Sequence, residues 1–295
     1  MRKAGSSQLG KSLSSWRRQG RRLGIVVLFV IAGTGLWEFQ ERQHKDAYTW
    51  MGVPTWDSFS LTTFHRVLRN DGFLVGWSDV RVNPLWVSYQ VEAVGDDTRI
   101  GPRPNFQADW RTLWPVGTDH YAGSGYDRGH MAPNYAIAAV HGRSAQVDTF
   151  LMSNMVPQRP QLNRQLWQRL EEVVMDHFAP RFDRLQVITG PVFPERFMDN
   201  VFNRVGLVEV PEAFYKIIVA PHDEAPLALA FIMPQDVRGN EPLDDYLVTI
   251  DEVEALTGLN FFPELSAEVE TVLEGELRTQ GWALEEVARR RGRFQ

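Results

Sequence analysis

Cysteine is absent from all 295 residues. That excludes disulfides, thiolate metal sites and a cysteine nucleophile, and leaves the redox compartment open. Acidic residues are absent from positions 1–22, which carry seven Lys or Arg and are rich in serine. Lys and Arg are absent from Glu241 to Leu277, where eleven Asp and Glu accumulate. The formal net charge of −6 therefore hides a segregated distribution, and the chain outside that acidic stretch is net positive. A long membrane-spanning run is also missing. The nearest approach is "LGIVVLFVIAGTGLW" at 23–37, fifteen uncharged residues, short for a spanning helix and long for a signal core. There is no internal repeat and no low-complexity tract.

A hydrophobic fraction of 43% and an aromatic fraction of 12% describe a globular chain with a sizeable core. The basic flank and Trp37 mark residues 23–37 as an uncleaved anchor, with a cleaved signal or an organellar targeting segment as alternatives. The positive-inside rule then places residues 40–295 outside the cytoplasm. That means the periplasm, free or facing it from the inner membrane, with an organellar intermembrane space as the alternative. Residues 38–80 read as an irregular approach, because "GVPTWDSFS" and "RNDGF" are turn-rich. Strand-like runs follow at 85–91, 185–192, 214–220, 227–233 and 246–250, rich in β-branched and aromatic side chains. Residues 162–178 have apolar side chains at helical spacing. "DEVEALTG" suggests a helix with a capping box from Asp251 to Glu254 and a stop at Gly258. Residues 266–291 read as one or two charged terminal helices. Many strands with scattered helices imply an α+β fold, a mixed or antiparallel sheet with helices packed on it.

The segment that fits no core is "YDRGHMAP", residues 126–133. If it is extended, Arg128 and His130 share one face, Asp127 takes the other, and Gly129 admits close approach. An imidazole that exchanges a proton near neutral pH, beside a guanidinium that grips phosphate oxygens, suits an anionic substrate. Alone, His130 reads better as a structural histidine and Arg128 as a surface cation. A second constellation lies downstream in "SNMVPQRPQLNRQLWQRLEE", with Asn154, Asn163 and Glu171. On an α-helix Asn163 and Glu171 would lie about 80° apart and border one groove. Asn163 falls in the first turn, where unpaired amides favour anions, although asparagine there is most often a cap. Trp110 and Trp114 suit base stacking or plain packing. His120 is as compatible with a loop as with a cleft.

"DRGHMAP" followed by "SNMVPQ", then "LN", "W" and "LE", resembles the DNA/RNA non-specific endonucleases, the ββα-metal family. The resemblance extends to "NPLWVSYQV", "VITGPVF", "AFYKIIV" and "EVEALTGLNFF" and covers residues 65–265. The resemblance sets the nuclease domain at 65–265, beside the basic segment at 1–22, the anchor or signal at 23–37, the linker at 38–64 and the helical extension at 266–295. It further implies His130 as general base, Asn163 as direct ligand of Mg²⁺ (Mn²⁺ as alternative), and Glu171 as the holder of metal-bound water. Arg128 would neutralise phosphate, and Asp127 and Asn154 would position the strand and the histidine. DNA and RNA are the implied substrates, the membrane a partner through the N-terminal segment, and a homodimer is compatible with it. Where the family often has an arginine one turn after the glutamate, this chain has Met175, so Arg128, Arg159 or Arg164 must supply that charge, or turnover is lower. Two other readings stay open: a membrane-tethered nucleic-acid-binding protein without catalysis, and a hydrolase of some other phosphodiester.

Overall fold

The computed structural model describes residues 34–292, apart from 35, 37, 39, 96, 195–196 and 222–225. The chain forms two compact units, Met1–Ala47 and Tyr48–Gln295. In the first, residues 40–46 are helical and Lys45 faces Glu41 at 3.9 Å one turn away. The basic segment and the expected anchor lie almost entirely outside the described residues. Among the described residues no helix is long and apolar enough to cross a membrane.

The second unit contains thirteen strands among its described residues: β1 (Thr55–Trp56), β2 (Arg66–Arg69), β3 (Phe73–Ser78), β4 (Asn83–Glu92), β5 (Asp127–His130), β6 (Met155–Gln158), β7 (Arg184–Val192), β8 (Arg204–Val205), β9 (Val208–Glu209), β10 (Ala213–Ala220), β11 (Leu227–Pro234), β12 (Leu247–Val248) and β13 (Leu259–Asn260). Seven of them form one sheet in the order β12-β11-β10-β7-β4-β3-β2. Every ladder in it is antiparallel. The α+β class stands, with the antiparallel form of the sheet.

The four long expected strands are present because their residues are apolar on both faces. Along β10 all eight residues are buried. Phe214 and Ile218 point into one core layer, and Ala213, Tyr215, Ile217 and Val219 into the other. Period-2 alternation thus feeds two cores, and helices cover both faces of the sheet. Gly76 of β3 is needed there, because a Cβ would lie 2.2 Å from the Trp86 indole nitrogen.

Four expectations need correction. Residues 38–80 are not irregular throughout: β2 and β3 form a hairpin at the sheet edge, turning at Gly72 with φ +85°. Residues 246–250 contribute only the two-residue β12 before a helix starts at Ile250. That helix, Ile250–Thr257, is capped by Thr249, whose hydroxyl accepts from the Glu252 amide at 3.1 Å, and not by Asp251. Gly258 does end it, in the left-handed region. Over 266–291 only Ala267–Gly275 is a full helix. Beyond it the chain closes on the core, with Trp282 buried against Phe178 and Phe182 at 5.0 and 4.5 Å between ring centroids.

Candidate active site

β5 and β6 pair in register, Asp127 with Gln158 through His130 with Met155, as a two-stranded ribbon separate from the large sheet. Gly129 is required by a neighbour within the ribbon. A Cβ on it would sit 1.8 Å from Oε1 of Gln158, a residue with no exposed surface. The chain then enters a continuous helix over 160–182. Pro160 opens it with φ already helical and no amide to satisfy. Leu162, Leu166, Leu170, Val174 and Phe178 bury its inner stripe. Two stretches, Leu162–Trp167 and Val174–Phe178, are π-helical, so the 80° expected between Asn163 and Glu171 does not hold as computed for a pure α-helix.

Ribbon and helix enclose a cleft of about 640 Å³. Asp127, Arg128, His130, Asn163 and Glu171 all line it. Asp127 was expected to turn away. It borders the cleft because its carboxylate reaches across to the helix, accepting from Asn163 Nδ2 at 3.0 Å and from both Nε and a terminal nitrogen of Arg164 at 2.8 and 2.6 Å. Burial alone would raise this carboxyl, but the bonds from Arg164 and Asn163 hold it below its usual value. Asn163 therefore has its amide nitrogen committed, and its oxygen is the atom left to serve the cleft.

His130 packs edge-on to Phe150, 4.9 Å between centroids, and beside Phe106 at 5.8 Å. Its Nε2 is buried with no hydrogen-bond partner among the described residues. Burial, reinforced by the positive charges of Arg103 and Arg128, lowers its pKa to about 3. The ring is thus neutral near pH 7, with a lone pair to offer. Asn154 lies just beyond, fully buried. Its side chain accepts from the Ala132 amide at 2.8 Å and donates to the Ala132 and Thr149 carbonyls at 3.0 and 2.9 Å. It fixes the bend by which the chain leaves His130, whereas Asp127 fixes Asn163.

Three residues that set the cation environment in and beneath the cleft were not singled out in the sequence. Arg103 and Phe106 come from an irregular loop that carries no periodic signal. The Arg128 guanidinium lies 4.4 Å from the Phe106 centroid, and that of Arg103 lies 5.3 Å from Phe150. Neither arginine meets a carboxylate among the described residues, so these two are the cations free to meet an anion. Arg164, offered earlier for that role, is held by Asp127, and Arg159 is not among the residues lining the cleft. Met175, the motif departure, lines it.

The third is Lys216. The sequence places it in an apolar strand, and it lies fully buried beneath the cleft. Its Nζ is 3.9 Å from Glu171 Oε1, 4.3 Å from the Trp167 ring centroid and 3.5 Å from the Tyr89 hydroxyl. Burial pushes Glu171 up and Lys216 down, and each opposes the shift of the other. Glu171 Oε1 has no hydrogen-bond partner among the described residues.

The remaining signals fall elsewhere. His120 contacts the Gly117 amide at 3.1 Å and does not line the cleft. His65 packs edge-on to Trp86, and His141 and His177 bond backbone carbonyls. Trp110 is 89% exposed and Trp114 49%, so neither belongs to the core.

A two-stranded ribbon presenting histidine, followed by a helix presenting asparagine and glutamate across one cleft, is a ββα arrangement. The chain belongs to the DNA/RNA non-specific endonuclease family, whose sequence model matches residues 57–268. It is 33% identical over 291 residues to the human mitochondrial nuclease EXOG, covering 86% of this chain and 76% of that one. It is 27% identical over 231 residues to a nuclease of Nostoc sp., covering 74% of this chain and 80% of that one. Among solved structures, the EndoG/EndoGI complex matches with a TM-score of 0.60 at 25% identity, over 75% of this chain and 94% of that one.

Proposed function

We propose that this nuclease hydrolyses phosphodiester bonds of DNA and RNA with a Mg²⁺-type ion, using His130 as general base and Asn163 as the ion's protein ligand. One observation carries the reading: an unpartnered, neutral imidazole and the acceptor end of an oriented amide line the same cleft as two arginines without carboxylate partners. The donor set suits a hard cation that keeps most of its waters, since it offers the Asn163 oxygen and the Glu171 carboxylate and no sulfur. When bound there, such an ion supplies charge stabilisation to the scissile phosphate and the departing oxygen.

Arg103 and Arg128 bind the phosphate and orient it, being the cleft cations not engaged by an acid. His130 Nε2 accepts a proton from the water that attacks phosphorus. A new P–O bond forms, and the bond to the leaving sugar oxygen breaks. An imidazole held so low is a weak base in the free enzyme. A phosphate between it and the arginines offsets the charges that depress it, moving its pKa toward the working range. Glu171, steadied by Lys216, accepts hydrogen bonds from ordered water. Asp127 holds the Asn163 amide in its ligand orientation, and Asn154 holds the strand end that carries His130. The two arginines of the cleft without carboxylate partners suit the phosphodiester backbone, so recognition runs through it. The charge pattern of residues 1–37 supports an extracytoplasmic, membrane-tethered enzyme, tested by fractionating cells that express the full chain.

The deciding experiment incubates the protein with supercoiled plasmid and with RNA in Mg²⁺, Mn²⁺ or EDTA, beside Asn163→Ala. Cleavage of both polymers that EDTA and the substitution abolish is expected. Retention of DNA without cleavage in either ion would replace the enzyme by a binding protein.

A further inference from the structure

The face of the sheet opposite the cleft carries a feature that nuclease chemistry does not use. Helices 250–257 and 267–275 pack against each other and against β11, and Val253 and Leu273 bury themselves in the core layer away from the catalytic helix. Along their seam Asp251, Glu254 and Glu274 each bring a carboxylate oxygen within 4.8 Å of the others. An acidic cluster alone would mean little. Glu274, however, is only 2% exposed, and among the described residues its carboxylate has no hydrogen bond and no ion pair. Its charged neighbours are Glu254, Glu270 and Asp251, all of its own sign. Glu254 faces Asp251, Glu270 and Asp57 and receives one hydrogen bond, from the Phe261 amide at 2.7 Å. No Lys or Arg occurs between positions 241 and 277. Burial first and mutual repulsion second push Glu254 up to about 7 and Glu274 up to about 8.

A buried carboxylate surrounded by carboxylates needs either protons or a cation. The geometry favours a cation of a particular kind. Oxygens that lie within 4.8 Å of one another can share one ion at the 2.3–2.6 Å of Ca²⁺ coordination. Ca²⁺ accepts irregular sets of carboxylates and water, and the exposed Asp251 edge leaves room for water, whereas Mg²⁺ demands a tight octahedron. An all-oxygen set without imidazole or sulfur does not select Zn²⁺ or Cu²⁺.

We propose that Asp251, Glu254 and Glu274 form a Ca²⁺ site, separate from the catalytic cleft, that clamps helix 267–275 onto helix 250–257. The clamp ties the C-terminal part of the chain to the sheet and leaves the phosphodiester chemistry untouched.

The test uses the full chain and two readouts, the midpoint of thermal unfolding and bound ⁴⁵Ca²⁺ by equilibrium dialysis. Both are measured in EDTA, in Ca²⁺ and in Mg²⁺, at concentrations up to about 1 mM, the affinity range of extracellular Ca²⁺ modules. The expected result is one Ca²⁺ per chain and a raised midpoint that Mg²⁺ does not match. Glu274→Gln should lose both, and Asn163→Ala should keep both. Asp251→Asn, at an exposed position, decides the matter if Glu274→Gln folds poorly: it should weaken binding about tenfold while plasmid cleavage in Mg²⁺ stays unchanged. An unshifted midpoint in Ca²⁺ overturns the proposal. So does a Ca²⁺ response that survives Asp251→Asn and Glu274→Gln but vanishes in Asn163→Ala.

Discussion

Glu171 and Glu274 make an instructive pair. Both are driven toward the protonated form by burial, and their neighbours Leu170 and Leu273 belong to the core layers on opposite sides of one antiparallel sheet. Beneath Glu171 the fold places a buried ammonium at 3.9 Å, and the cleft around it holds two arginines. Around Glu274 it places three further acids and no cation. The same desolvation therefore has opposite meanings. In the cleft, the positive charge is built in and awaits a polyanion. On the far face it is left out, and a proton or a metal ion must supply it. The uneven charge distribution of the sequence is this division seen in one dimension.

The largest effect that would break the comparison is catalytic. His130→Ala should reduce plasmid cleavage in Mg²⁺ by about 10²–10⁴-fold, with the unfolding midpoint nearly unchanged, whereas no substitution in the far cluster should affect cleavage. Next comes the counter-ion. Lys216→Met strands a buried carboxylate and should cost about 3–5 kcal/mol of stability, measured by urea unfolding. The double variant Lys216→Met/Glu171→Gln should recover a good part of that loss, because a neutral pair replaces the charged one. Arg103→Ala and Arg128→Ala should each raise KM for DNA about tenfold and lower the salt dependence of binding by about one phosphate's worth, measured by titrating KCl.

The smallest effect concerns pH. Glu254 and Glu274 have folded-state pKa values near 7 and 8, above the ordinary 4.5. Between those limits the folded chain binds more protons than the unfolded one, so stability falls as pH rises through that window. Asp251, Glu270 and Asp57 face the same groups and add to the repulsion. In EDTA, the wild-type midpoint should drop by about 2–4 °C more between pH 5 and pH 8 than that of Glu274→Gln. An equal drop in both would remove the far cluster from the comparison.

How much of this was legible in the sequence depended on whether a residue's neighbours in the chain are also its neighbours in space. The apolar runs that became β4, β7, β10 and β11 announced themselves because both of their faces are buried. The ribbon and the helix over 160–182 are close in the chain, so the motif resemblance could link Arg128, His130, Asn163 and Glu171 before any fold was known, whereas strand alternation sent Asp127 to the wrong face. β2 was hidden by the arginines at its ends. Helix 134–148 was hidden by its small side chains and by Gly142, whose φ of +85° breaks it. Arg103 and Phe106 reach the cleft from a loop with no period to read. Lys216 was placed in its strand but missed as a site residue, because a lysine in an apolar strand gives no hint of a glutamate 45 residues earlier in the chain. The capping box was shifted by two residues, since Asp251–Glu254 and Thr249–Glu252 both satisfy the same spacing rule.

The position of Lys216 on β10 also sets how the cleft breathes. β10 is hydrogen-bonded along its length to β7 on one side and β11 on the other, so its amides should exchange with deuterium only when the whole domain opens. The ribbon carrying His130 has four paired positions and one partner strand, and its amides should exchange through local opening. The floor beneath the cleft thus has the permanence of the entire domain and the ribbon beside it has latitude, so His130 can shift while the support under Glu171 stays fixed.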